Sequence, residues 1–418
     1  MKKNCKRFMS LCLSILCLAV FIAPQAHAVP AFGRTIGGNC TACHATPTWQ
    51  LNEMGLEFLK NGHRSEALAF KADEIKWDNY LSFVWKGRAY YTENAKPRSQ
   101  FEQHSFSIYS GGALSERFSY FTEMYLSENT GVTNRTTVAG YGGDAARKKL
   151  AEAFLQYNQP LGGKNFVAVR AGEILPEMIH TFGAGARSIE DRAQIFNVAT
   201  NSANPYKPFT RSQGLDVKLN AEVLEATVGV VDGAATGTNA IDTNNHKDLY
   251  AGLQGNLDQH GSAVGLFAYS GLFTTYATAE DPSSAPVFDN EFSKMLVLAR
   301  FVQDKFRIVG AYMTGKEEEN ISSAKTETKN KGYFALVDYN FMDSLGVFAR
   351  YDMLDPNKDN SYSETKLLTV GLNGLLYMHE KSAARWNLEL SDKKISEASA
   401  SATETKTQKI LGQLTWAI

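Results

Sequence analysis

Cys40, Cys43 and His44 form the one spacing in this chain that commits it to a chemistry. They lie in Asn39-Cys40-Thr41-Ala42-Cys43-His44, a C-x-x-C-H pentapeptide, which is the attachment signature of a c-type haem. In that chemistry the two thiols bond to the haem vinyl groups as thioethers, and the adjacent histidine is held where its ring ligates the iron. Spacing alone also admits a zinc or thiol-redox site, but zinc needs further ligands nearby. No second cysteine pair supplies them, because Cys5, Cys12 and Cys17, the other three of the five cysteines, all precede residue 28. One covalent haem c is the expected cofactor, bound by Cys40, Cys43 and His44.

Residues 1–28 read as an export signal. Lys2, Lys3, Lys6 and Arg7 make a basic start, Phe8 to Ala23 an apolar stretch, and Ala26-His27-Ala28 a small-x-small cleavage site. Cleavage would leave only the two haem cysteines, hence no structural disulfide. The four basic residues lost with the signal leave 39 Lys and Arg against 44 Asp and Glu. That mildly acidic balance gives no support for nucleic-acid binding.

Two kinds of element must position the haem. Residues 29–78 are expected to form a small α-helical monohaem cytochrome c segment. Leu51, Met54 and Phe58 fall at helical spacing and Asn61-Gly62 suits a helix end, which predicts a short helix lying on the haem. About 50 residues bury too little surface to stand alone, so the haem supplies apolar surface or the segment docks elsewhere. The second axial ligand has three sources. His63 offers a nitrogen and Met54 a thioether, which raises the potential; a barrel residue or an open site is the third. A Met on an apolar helix face is more often core packing, and a loop histidine more often sits at the surface.

From about residue 79 to 418 the period switches to two. Leu81, Phe83, Trp85, Gly87, Ala89 and Tyr91 share one face, with Ser82, Lys86 and Arg88 on the other. The same alternation returns in Leu345, Val347, Ala349 and Tyr351 against Arg350 and Asp352, and in Ile410, Gly412, Leu414 and Trp416 against Gln413 and Thr415. About sixteen such runs are counted, starting with 80–92 and 103–111 and ending with 383–391 and 407–418. No apolar run after the signal reaches the length of a spanning helix. Short connections alternate with long polar ones at 128–147, 175–211, 233–245, 272–290, 316–330, 354–363 and 392–406. The fold class expected is all-β: a transmembrane antiparallel barrel of about sixteen strands, lipid outside and a wet lumen inside. A soluble sandwich would be unusually large, and no fixed repeat supports a solenoid.

Connection 175–211 is too long for a bare loop and should be functional or folded inward. It carries Met178, His180, Arg187, Glu190, Asp191 and Arg192, and so could narrow the pore or offer Met178 or His180 to the haem. Glu317-Glu318-Glu319 is expected as a solvated run in an external loop. Lys86, Arg88, Arg170, Asp338 and Arg350 on the lumen face would neutralise haem propionates and seat the segment, or line a plain water channel.

The run Phe32-Gly33-Arg34, Cys40-Thr41-Ala42-Cys43-His44, Pro47, Leu51-Asn52, Gly55, Phe58 and Asn61-Gly62 resembles the N-terminal signature of the fused monohaem cytochrome–porins of iron-oxidising bacteria. The resemblance covers the N-terminal segment by motif and the remainder by architecture. It implies haem attachment at Cys40 and Cys43 with His44 as proximal ligand. It also implies a sixteen-strand barrel holding the haem segment in its pore, extracellular ferrous iron as donor and a periplasmic c-type cytochrome as acceptor. Gly33 departs from the Ala usual in that family, Thr48-Trp49-Gln50 from its acidic Pro-Glu, and His63 from its aromatic residue after Asn-Gly.

The function expected is an outer-membrane electron conduit, with Fe(II) oxidation by a cytochrome c its sharpest form and outward transfer to external acceptors another. A porin with a haem-bearing plug is the alternative from a different class, separable by ion conductance. A haem peroxidase would need a distal acid–base pair, and the sequence offers no convincing one.

Overall fold

The structure, a computed structural model, describes residues 30–36, 38, 40–66, 68, 80–128, 150–201, 204–233, 244–276, 286–321, 324–359, 364–379, 382–396 and 404–418. The export signal falls outside these residues. A two-residue pair, β1 (His44–Ala45) and β2 (Gln50–Leu51), forms a small hairpin. It is followed by sixteen long strands in one closed sheet. In chain order these are β3 (Leu81–Thr92), β4 (Ser99–Ala113), β5 (Phe118–Glu128), β6 (Leu150–Gly162), β7 (Asn165–Ile174), β8 (Ser212–Asn220), β9 (Leu224–Val231) and β10 (Asp248–Asn256). The remainder are β11 (Ala263–Tyr276), β12 (Pro286–Gln303), β13 (Phe306–Ile321), β14 (Ala324–Met342), β15 (Leu345–Asp355), β16 (Thr365–His379), β17 (Ser382–Ile395) and β18 (Thr405–Ala417). Each pairs antiparallel with its neighbour, and β18 closes on β3 from Lys409↔Thr92 to Ala417↔Val84.

Alternation sets the two surfaces. Leu249, Leu253, Val264, Leu266, Met295 and Val297 face outward and stay exposed, while Gln254, Arg300, Asn373 and Gln413 are buried inside. An outward apolar face combined with an inward polar one is the arrangement that lipid demands of a closed barrel. The expected all-β fold of about sixteen strands is therefore what forms.

Several strands run further than their apolar pattern. Connections 272–290, 316–330 and 392–406 were expected as long loops, but strands run into both ends of each, and β13 and β14 stay paired out to Ile321↔Ala324. A strand with water on both faces needs no apolar side, so the period-two signal fades while the ladder continues. Glu317 is the clearest correction: it is buried in the lumen and ion-paired with Lys294, not part of a solvated run.

The segment 175–211 folds inward. Ile179, Phe182, Ile195 and Phe196 are fully buried and pack against an apolar stretch of the inner wall that includes Phe267, Leu296, Leu298, Val309 and Phe334. The lumen is thus less uniformly wet than its sequence predicts, because β12 is apolar on both faces. Polar wall residues hold the segment: Arg350 Nη1 donates to Asp191 O at 2.7 Å, Asn387 Nδ2 to Ser188 O at 2.8 Å, and the Gln194 amide to Asp352 Oδ1 at 3.0 Å.

The N-terminal residues close the short-turn end of the barrel. They comprise α1 (Pro30–Thr35), a single 3₁₀ turn (Cys40–Ala42), the hairpin and α2 (Glu53–Lys60). Buried Arg64 reaches the β4–β5 turn, donating to Ser115 O at 3.1 Å, Glu116 O at 2.8 Å and Arg117 O at 3.1 Å. The Ala31 amide donates to Ser82 Oγ at 2.9 Å, Gln156 Nε2 to Lys60 O at 2.9 Å, and Asn158 Nδ2 to Asn61 O at 3.1 Å. Across the mouth, Gln50 bonds Asp338 of β14 and accepts from Arg307 Nη1 of β13 at 3.3 Å. The segment is seated against opposite walls at once.

Candidate haem-binding site

Asn52 builds the site's local frame. Its side chain caps α2 by accepting from the Gly55 amide at 3.0 Å, while its Nδ2 donates to Thr41 O at 2.9 Å and its own amide to Cys43 O at 3.0 Å. The helix is thereby tied to the cysteine turn. Gly55 permits the contact, since a Cβ there would lie 2.1 Å from the Cys43 carbonyl oxygen. At the far end Gly62 takes φ +82°, and a Cβ would lie 2.2 Å from Ser119 Oγ, so only glycine fits.

Cys40 and Cys43 are free, buried thiols. Burial pushes both up, Cys43 to about 11. A thiol held protonated is a poor redox nucleophile. His44 places its Nδ1 2.8 Å from Trp49 O. A carbonyl only accepts, so Nδ1 carries the proton and the neutral ring keeps its Nε2 lone pair for a metal. The Trp49 ring also stacks on His44, with centroids 5.1 Å apart and planes 16° from parallel. Trp49 adopts φ +71°, a left-handed conformation uncommon for an aromatic residue.

His63, at φ +62°, is buried and stacks on Phe121 with centroids 4.2 Å apart and planes 8° from parallel. Phe32, Phe58 and Phe154 surround it at 5.2, 6.1 and 6.0 Å. Its Nδ1 is buried with no hydrogen-bond partner. Burial, reinforced for His63 by His180 and Arg170, pushes His63 down to about 3 and His44 to about 4. Both rings are neutral near pH 7, the form that donates to a metal.

One cavity of about 280 Å³ joins Cys40, Cys43, His44, Trp49, Phe58 and His63. Its opposite wall includes His104, Ser107, Tyr109 and Phe121 from the barrel and His180 from the inward segment. Five cations line it (Lys86, Arg187, Arg192, Arg211 and Arg385) against three carboxylates (Glu123, Glu152 and Glu190). This donor set fits a covalent haem c: paired uncharged thiols, an imidazole with one nitrogen freed, a second buried imidazole lacking a partner, aromatic walls, and surplus positive charge for two propionates.

Met54 is placed elsewhere. It is 42% exposed and lines a separate cavity with Glu57, Asp258 and His260. The helix buries Gly55, Leu56 and Phe58 instead, because the Asn52 cap sets its phase and turns Met54 outward. Met178 packs against the wall beside Gly252 and Gly265. Of the lumen charges singled out from sequence, Lys86 lines the cavity and Asp338 seats Gln50, as a docking role requires. Arg88 lies 3.7 Å from Glu190, while Arg170 is committed to Asp216 and Arg350 to Asp352. Sequence reasoning named Trp49 only as a departure from the family pattern and passed over His104, Arg211 and Arg385; inward parity on β17, where Arg385, Asn387 and Glu389 alternate, was the available signal for the last.

No protein-family model and no curated protein matches the sequence. Solved structures do match the fold. In-vitro folded OmpT, an outer membrane protein of Vibrio cholerae, aligns over 81% of this chain and 96% of its own at a TM-score of 0.54 and 10% identity. The outer membrane channel DcaP of Acinetobacter baumannii gives the same TM-score, coverages and identity. OmpF of Salmonella typhi in complex with daunomycin aligns over 82% of this chain and 99% of its own, at 0.51 and 11%. At such identities the likeness defines a class of fold, the closed outer-membrane-type β-barrel.

Proposed function

We propose that this chain is an outer-membrane electron conduit, passing single electrons through one haem c between an extracellular donor, ferrous iron, and a periplasmic c-type cytochrome. The observation that carries the reading is that Cys40, Cys43, His44 and His63 share one cavity inside the barrel mouth. Bound there, the haem would supply a one-electron couple and a stepping point between the two faces of an apolar band about 25 Å tall.

The chain's own residues supply the rest. Cys40 and Cys43 attach the group covalently, so it stays in place through repeated turnover. Trp49 O orients the His44 ring and keeps Nε2 available. His63 presents the second imidazole from the opposite end of α2, already neutral and packed, and so preorganised for iron. Phe32, Phe58 and Phe121 exclude water from that side. The plug contacts of Arg64 and Gln50 hold the segment at the short-turn end, which we assign to the periplasmic side. A channel with a haem-bearing plug is the second reading, favoured by the likeness to an outer membrane channel.

The test has two steps. Intact mass and in-gel haem staining of purified protein first establish whether one haem is attached. Anaerobic mixing of the oxidised protein with excess ferrous iron, followed by haem absorbance, then reads electron entry. Rapid reduction is expected. A haem-loaded protein that stays oxidised discards iron as donor and turns the search to external acceptors, while a haem-free protein overturns the conduit.

A further inference from the structure

The inward segment gives the cavity two cations whose carboxylate neighbours, Glu190 and Asp191 for Arg187 and Glu123 for Arg192, act on them from beyond ion-pair distance. Arg187 spends its donors on carbonyls, Nη1 on Gly185 O at 2.9 Å and Nε on Glu190 O at 3.0 Å. Arg192 Nε donates to Ala184 O at 2.7 Å, and its guanidinium lies 3.6 Å over the Phe209 ring. Among the described residues neither has a carboxylate within ion-pair distance. The cavity's other cations do: Arg211 sits 2.7 Å from Glu123, Arg385 2.8 Å from Glu190, and Lys86 4.0 Å from Glu190.

A half-buried guanidinium fixed by carbonyls, and for Arg192 also by an aromatic face, is oriented but only partly neutralised by carboxylates beyond ion-pair distance. Both guanidiniums line the same cavity as the thiols, so the anions that complete them are ones brought into it. Planar forks recognise carboxylates in a paired geometry that lysine does not reproduce. We propose that Arg187 and Arg192 clamp the two propionate carboxylates of the haem, so that the inward-folded segment 175–211 fixes the charged edge while the N-terminal segment holds the thioether edge. The inference rests on the haem reading above and assigns the segment a ligand-binding role beyond narrowing a pore.

The experiment compares full-length, haem-loaded wild type with Arg187→Gln/Arg192→Gln and with Arg187→Lys/Arg192→Lys. Resonance Raman spectra report the propionate-bending bands, and spectroelectrochemistry reports the midpoint potential from about pH 5 to about pH 8, the range into which released carboxylates rise. In the Gln pair the bending bands should move. Its midpoint at neutral pH should fall, because fewer nearby cations favour the ferric state, and a pH slope absent from wild type should appear. The Lys pair should keep the midpoint near wild type while its bands still move. Unchanged bands, midpoint and slope in a haem-loaded Gln pair overturn the clamp and leave the conduit standing. Should the Gln pair not accumulate, the two single Gln variants are read the same way. A wild-type protein whose mass shows no haem overturns both proposals before any variant is compared.

Discussion

At the residue scale the decisive group is His63. It is stacked, buried, neutral and held in a left-handed backbone conformation, and unusual backbone geometry at an unpaired imidazole points to a functional constraint. His63→Ala should convert a low-spin haem to high-spin with the thioethers intact. His63→Met should restore a low-spin spectrum at a higher midpoint, since a thioether favours the ferrous state. Absorbance and spectroelectrochemistry check both, and an unaltered spectrum in the alanine variant removes His63 from the iron. Much of the candidate site was legible in the sequence: the C-x-x-C-H spacing names three of its residues outright, and His63 stands out where the family that the N-terminal motif resembles has an aromatic. Which of His63 and Met54 faces the cavity of the two cysteines was not, because it depends on where α2 begins. Asn52 bonding to both Gly55 and Thr41 fixes that phase, and a phase error of one residue moves a side chain about 100° around a helix.

At the element scale the N-terminal segment is a docked part, and Arg64 is its tether. The residue is fully buried and holds three consecutive turn carbonyls of the barrel. Charge-assisted bonds of this kind contribute more than neutral ones. Arg64→Ala should therefore weaken docking by about 3 kcal/mol, or roughly a hundredfold in the undocked population. Hydrogen exchange in α2 should accelerate correspondingly while exchange in the barrel strands stays as in wild type; equal protection of α2 in both proteins would refute the tether. The strands were readable because one apolar face recurs at every second residue. Arg64 was not singled out, since an arginine after a helix end reads as solvated, and only the closed barrel brings the 114–117 turn to it.

At the scale of the whole molecule the lumen is divided. The inward segment packs its apolar side chains on the wall formed by β10 to β15, while the cavity that holds the two cysteines lies against β3 to β6 and the inner faces of β17 and β18. A barrel of sixteen strands is wide enough for an aqueous channel, so each half must be filled by something for the barrel to be closed. The inward segment is an integral part of the β7–β8 connection. The N-terminal segment only docks, through contacts such as Arg64, Gln50 and Ser82. Removing residues 29–79 should then open the β3–β6 side while the barrel still forms, because every strand from β3 to β18 keeps both its neighbours. In planar bilayers the full-length protein should show little ion conductance and the shortened barrel distinctly more. High conductance in the haem-loaded, full-length protein would instead favour the channel reading, in which the haem segment is an ornament of a pore rather than the wire through a sealed one.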